Sequence, residues 1–143
     1  MDALRQHGAA PKADMQALWR RMVFNILISN TDDHLRNHGF LWAGQQGWRL
    51  SPAYDLNPLP TDIKPRILAT AINEDDNTAS LALALEVAAY FELDAANAHK
   101  IAAQVGKVVS RWRAEAARQG LTKREIERMA SAFEHDDQRL SNR

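Results

Sequence analysis

The sequence predicts an α+β fold, mainly α-helical with one β-hairpin, and three observations carry that prediction. Apolar side chains recur at helical spacing over long stretches, two short aromatic-rich runs flank a glycine-bounded turn, and prolines keep the segment after them extended. From Ala13 to Ser29 the apolar residues Met15, Leu18, Trp19, Met22, Val23, Ile26 and Leu27 form the i, i+3, i+4, i+7 stripe of an amphipathic helix. That helix should end at Asn30-Thr31-Asp32-Asp33-His34, whose short polar side chains compete for backbone hydrogen bonds and favour caps and loops. Gly39–Ala43 and Trp48–Ser51, on either side of Gly44-Gln45-Gln46-Gly47, read as the hairpin. Pro52, Pro58 and Pro60 then place Asp55 on a loop.

Residues 66–72 fit either a strand or the start of a helix. Past an acidic turn from Asn73 to Asn77, Ala79–Phe91 is apolar on nearly every side, as a helix enclosed by others would be. Asp94 can cap a long helix reaching about Gln119, with Gly120 as the residue that stops it. Thr122 and Glu125 form a capping box, and Leu121 with Ile126 a hydrophobic staple, for a last helix over roughly 123–134. That makes about four helices and a hairpin in one domain over residues 1–143, with no internal repeat or linker.

Composition narrows the function classes. The chain has 143 residues, 45% of them apolar, enough for a core. Its 18 basic and 18 acidic side chains cancel, so it lacks the positive field that drives direct nucleic-acid binding. Zero cysteines remove disulfides, thiolate nucleophiles and Cys-ligated metals, and fit a reducing cytoplasm. The longest apolar run near the start, Met22–Ile28, is too short to span a bilayer, and residues 1–12 carry no signal-peptide pattern, so no membrane association is expected.

The sharpest chemical feature is Asp32-Asp33-His34-Leu35-Arg36-Asn37 followed, across the hairpin, by Asp55. With the turn centred between Gln45 and Gln46, Asn37 and Asp55 lie at nearly equal distances before and after it. Strands about 4.8 Å apart then return Asp55 beside Asn37 with a slip of about one residue. An amide oxygen and a carboxylate meeting there suit Mg²⁺, which usually takes one or two protein oxygens and fills its shell with water and phosphate. Asp32 stands five positions before Asn37, the spacing of base Asp and metal-binding Asn in kinase catalytic loops, where a second Mg²⁺-binding Asp comes later. The spacing alone is a weak filter; its conjunction with the helix before it and the loop Asp after the hairpin is what discriminates. The plainer alternative is that Asp32, Asp33 and His34 only cap the helix end. A zinc reading of His34 and His38 lacks the intervening Glu and a third ligand.

Asn25, Asn30–Asn37 and Arg49-Leu50-Ser51-Pro52-Ala53-Tyr54-Asp55-Leu56 resemble the signature of the C-terminal catalytic region of HipA-type serine/threonine kinases, the toxin halves of bacterial toxin–antitoxin pairs. The Asp-x-His-x-x-Asn core is also similar to that of phosphatidylinositol kinases, and the resemblance extends over most of residues 18–135. It implies a protein-kinase-like C-terminal lobe in which Asp32 orients and deprotonates a substrate hydroxyl, Asn37 and Asp55 hold Mg²⁺ on the phosphates of ATP, and His34 braces the loop. It also implies a protein substrate with a Ser or Thr acceptor and a helix-turn-helix antitoxin partner. The departure is as clear: a kinase needs a Gly-rich strand–turn–strand and a strand Lys over the phosphates, and the six glycines here are not so grouped, while Lys12 has no strand context. The N-terminal ATP-grasping lobe is therefore expected to lie outside this chain. A non-catalytic interaction module on the same fold, or a kinase of small molecules, are the competing readings.

Overall fold

The computed structural model describes residues 1–73 and 75–141. Helix α1 (Asp2–His7) leads through Gly8 into α2 (Pro11–Leu27), the central helix, which has a proline in its first turn, where the missing N–H costs nothing. On α2 the side chains of Met15, Trp19, Val23, Ile26 and Leu27 are wholly buried, each contributing roughly 1.5–3 kcal/mol of burial. The Trp19 indole N–H also donates to the carbonyl of Ala84 at 2.8 Å, so the largest core side chain leaves no buried polar atom unpaired.

The hairpin is β1 (Phe40–Trp42) and β2 (Trp48–Leu50), antiparallel, with Phe40 opposite Leu50 and Trp42 opposite Trp48. Its turn is a short 3₁₀ segment over Gly44–Gln46. Gly47 has φ +106°, and a Cβ there would sit 2.4 Å from the carbonyl oxygen of His7, so only glycine fits. The approach is close because Ala9 N–H donates to Trp48 O at 2.7 Å, clipping the segment before α2 onto β2. From the other side Asp14, buried on α2, accepts both Nε–H and Nη2–H of Arg49 and the N–H of Leu50 at 2.9–3.1 Å. Arg21 of α2 adds a hydrogen bond to the carbonyl of Ser51. The hairpin is thus held by polar contacts, and its apolar side chains Phe40, Leu41, Trp42 and Trp48 remain largely exposed.

Residues 66–72 form neither the strand nor the helix that their composition allows. A single bridge pairs Ile67 with Thr78, and Leu68 exchanges hydrogen bonds with Asn77. In the acidic turn, Asn73 accepts the N–H groups of Asp75 and Asp76; Glu74 lies outside the described residues. The apolar segment is central as expected, though shorter in its regular part: α3 (Leu81–Glu86) is followed by a 3₁₀ turn over Ala88–Phe91, and Glu92 in the left-handed region ends it.

Asp94 does cap α4 (Ala95–Val109), accepting the N–H of Asn97, but the helix expected to reach Gln119 breaks at Ser110 and Arg111. There the Ser110 hydroxyl donates back to the carbonyl of Lys107, a side chain competing for backbone hydrogen bonds, and α5 (Trp112–Arg118) starts after the two-residue turn. At the start of α5, Trp112 stacks on Phe133, with ring centroids 4.4 Å apart. Gly120 has φ +88° as a stop residue should, and the capping box of Thr122 and Glu125 opens α6 (Lys123–Arg128). The final expected helix divides at Met129, giving α7 (Ala130–Phe133), and is followed by α8 (Asp136–Ser141). Asp137 ties α8 to the body by accepting from Leu81 N–H and pairing with Arg66. The expected count of about four helices becomes eight α-helical segments among the described residues, because the helices expected over 94–119 and 123–134 are each divided in two and two six-residue helices add at the ends.

Candidate active site

The loop after α2 is built to be rigid. Ser29 leaves the helix with φ +54°, and its hydroxyl donates to Ala132 O at 2.9 Å. Asn30 N–H donates to Asn25 O, and the Asn30 side-chain amide donates to Asn25 Oδ1 at 3.1 Å, folding the chain back on α2. Thr31 is buried and its carbonyl accepts from Ala69 N–H, while the carbonyl of Asp33 accepts the Thr70 hydroxyl. Segment 66–72, though irregular, is therefore the outer rail of this loop.

Asp32 projects from the loop into solvent, its side chain 71% exposed, with Lys64 Nζ 3.8 Å from its carboxylate. Asp33, its neighbour, is turned inward and pairs with His38 Nε2 at 3.2 Å. His34 begins a 3₁₀ turn (Leu35–Asn37), in which its carbonyl accepts from Asn37 N–H and its own N–H donates to Asn37 Oδ1 at 3.3 Å. His34 braces the turn through its main chain; its buried ring Nδ1 has no hydrogen-bond partner among the described residues.

Across the hairpin the return is as the turn dictates. With the register centred on Gln45, the residue facing Asn37 would be Ala53, so Asp55 overshoots by two residues where the sequence suggested about one. The gap closes because Tyr54 reaches back to hydrogen-bond Arg36 O at 2.8 Å and Asp55 takes φ +57°, turning its carboxylate inward. Asn37 Nδ2 then donates to Asp55 Oδ2 at 2.7 Å, and Asn57 Nδ2 to Asp55 Oδ1 at 2.6 Å. Asn30 Nδ2 lies 3.5 Å from the Asp55 carbonyl. Asn37 and Asp55 are thus brought together; no hydrogen bond links Asp32 to either among the described residues.

The donor types, a carboxylate beside an amide, are those a hard divalent ion takes, although each Asp55 oxygen already accepts from an amide, Oδ2 from Asn37 and Oδ1 from Asn57. Here the Asn37 NH₂ group faces Asp55, so a cation between them would draw Asn37 Oδ1 away from the His34 N–H. Among the described residues no three His, Cys, Asp or Glu side chains converge as a metal cluster, so any ion here would depend on water and ligand phosphate for the rest of its shell. Sequence reasoning missed Lys64 and Asn57. Asn57 had a local signal, an amide two residues after a loop Asp; Lys64 had none, since it reaches Asp32 through the turn at 60–64, which Arg128 holds by two bonds to Asp62.

Among known proteins, the chain is 30% identical over 81 residues to a protein named "Putative kinase" from Haemophilus influenzae, covering 54% of this chain and 24% of that one. It is 46% identical over 44 residues to "Putative kinase Y4dM" from Sinorhizobium fredii, covering 31% of this chain and 11% of that protein. The matched stretches thus span about a quarter and a tenth of those relatives. No solved structure matches at a significant level. The family model for the HipA-like C-terminal domain matches residues 1–112, which contain Asp32, His34, Asn37 and Asp55 in the arrangement just described, and the chain belongs to that family.

Proposed function

We propose that this chain is the catalytic lobe of a HipA-like kinase that transfers the γ-phosphoryl group of ATP to a Ser or Thr hydroxyl of a protein, with Mg²⁺. The observation that carries the reading is the 2.7 Å contact between Asn37 and Asp55 across the hairpin, with the exposed carboxylate of Asp32 on the loop that leads into it. Asp32 is open to solvent, where an acceptor hydroxyl can reach it, and serves to orient that hydroxyl and take its proton. Asn37 and Asp55 would hold Mg²⁺, which supplies positive charge to the phosphoryl oxygens during transfer. Lys64, beside Asp32, adds positive charge on the same side.

The exposed face formed by Phe40, Trp42 and Trp48 is where an ATP-grasping lobe would seat, and the greater length of the relatives leaves room for one. A helix-turn-helix antitoxin partner and a cytoplasmic setting belong to the same proposal; among the described residues no helix is long and apolar enough to cross a membrane. The test is thermal stability against Mg²⁺ATP, for the chain alone and joined to a family N-terminal lobe. Saturable stabilisation of the joined protein, worth about 2.7 kcal/mol at a hundred times Kd and lost in Asp55→Asn, supports the reading. An unresponsive joined protein, or an Asp55→Asn variant that responds as well as the parent, removes it and leaves a binding module on the same fold.

A further inference from the structure

Between α2, α4 and the loop that follows the hairpin lies an open groove of about 320 Å³. Its floor is apolar, from Phe24 of α2, Leu56 of the loop, and Val105 and Val108 of α4. Val108 is 68% exposed where Val105, one turn earlier, is buried, so the groove grades from core to solvent. Arg20 stands in the wall and donates to Gln104 Oε1 at 3.2 Å, a neutral partner. Arg21 also lines the groove, but its guanidinium is committed to the Ser51 carbonyl.

The charge around the groove is one-sided, although the chain as a whole is neutral. From Ala95 to Ala114 the sequence carries Lys100, Lys107, Arg111 and Arg113 and no Asp or Glu. Arg113 is spent on Glu127 and Glu134. The other three recur at helical spacing with Gln104 and Val108, and form one exposed stripe beside the groove. Neither they nor Arg20 has an ion-pair partner among the described residues. The acids on the elements that form the groove are committed elsewhere: Asp14 of α2 to Arg49, Asp94 at the opposite end of α4 to Asn97, and Asp55 to Asn37 and Asn57.

We infer that this groove docks an acidic segment of a partner protein, with one large apolar side chain seated against Phe24, Leu56 and Val108 and the carboxylates beside it paired with Arg20 and Arg111. The volume fits: a dry cavity of about 150 Å³ holds benzene, so the space here takes a Leu or Phe side chain with room to enter. Seating that side chain removes both it and Val108 from water, while the unpaired cations draw an acidic partner to this face. A nucleic acid is the poorer match, because phosphates would satisfy the cations and leave the apolar floor uncovered. The groove lies apart from phosphoryl transfer, since Asp32, Asn37 and Asp55 do not line it.

The test is an NMR titration of the full 143-residue chain with a capped acidic peptide, Glu-Asp-Leu-Phe-Asp-Glu, with the same peptide carrying Ser-Ser at its centre, and with a short oligothymidylate. The expected result is saturable binding of the first peptide, roughly tenfold tighter than either control, with the Leu56 and Val108 amides among the shifted signals. Val108→Asp and Arg20→Glu, both at exposed positions, should each weaken it roughly fivefold while leaving the rest of the spectrum in place. The two lie on different helices, so a fold lost in one leaves the other to decide. Absence of saturable binding, either control binding as tightly, shifts confined to other surfaces, or a folded variant that binds unchanged each overturns the assignment. None of these readouts uses ATP or kinase activity, so the outcome does not depend on the proposed reaction.

Discussion

Asp14 shows how one buried side chain can govern the site without touching it. Burial by itself pushes its carboxyl pKa up. The hydrogen bonds from Arg49 and Leu50 N–H, with the charges of Arg49 and Arg21, outweigh that and hold it below the ordinary 3.8. A carboxylate whose folded pKa is depressed stabilises the fold above its unfolded value and loses that contribution as pH falls. The Asp14 anchor should therefore be intact above about pH 3.8 and weaken below it. Asp14→Ala should lower Tm by several degrees, since it leaves Leu50 N–H and Arg49 without their acceptor. The measurement that separates anchoring from mere stability is the chemical shift of Asp55: it should move in Asp14→Ala and stay in place in a surface control such as Glu86→Ala. Asp14 was not legible as important, since a single Asp in the first turn of a helix is commonplace. Asp32, His34, Asn37 and Asp55 were legible because their spacing is chemical, yet nothing local said that His34 would act through its main chain.

At the scale of elements, the hairpin was legible to within a residue, because glycine-bounded turns between aromatic runs leave few alternatives. Its two glycines at positive φ make a sharp pair. Gly44 has φ +74° with open space around it, so Gly44→Ala should cost about 1 kcal/mol of backbone strain. Gly47 adds the clash with His7 O, so Gly47→Ala should cost more than about 2 kcal/mol. Urea unfolding of the two variants checks the order, and equal costs would mean that the N-terminal clip is loose. The helices were less legible. The amphipathic stripe that runs from Ile101 to Trp112 is continuous, and only the Ser110 hydroxyl and the stacking of Trp112 on Phe133, partners 21 residues apart, go with the break in the helix. Helices α1 and α8 escaped notice for a different reason: each is six residues long and carries few apolar side chains, so tertiary contacts such as Asp137 with Arg66 hold them rather than periodicity.

For the whole molecule, the C-terminal segment packs against the end of α2 and the start of the loop that follows it. His135 donates to Leu27 O at 3.1 Å, and Arg66 bridges Asp137 to Ile26 O. Burial, then the nearby Arg66 charge, hold the His135 pKa below its ordinary 6.5, with Asp137 opposing. The unfolded chain takes up that proton more readily than the folded one, so stability should fall as pH drops below 6.5 toward the lowered folded value. Denaturant midpoints between pH 7 and pH 5 should show the decline, and His135→Gln should flatten it. The exposed aromatic hairpin face belongs to this scale as well: Phe40, Trp42 and Trp48 on one side of a two-stranded sheet are an unfinished surface.

The clip between Ala9 and Trp48 has one more consequence. Because α1, β2 and the start of α2 share it, they cannot part company one at a time, and a tug on α1 is felt by the strand that leads to Asp55. Deuterium should then enter the amides of Ala9 and Leu50 at a single common pace, like two doors on one latch.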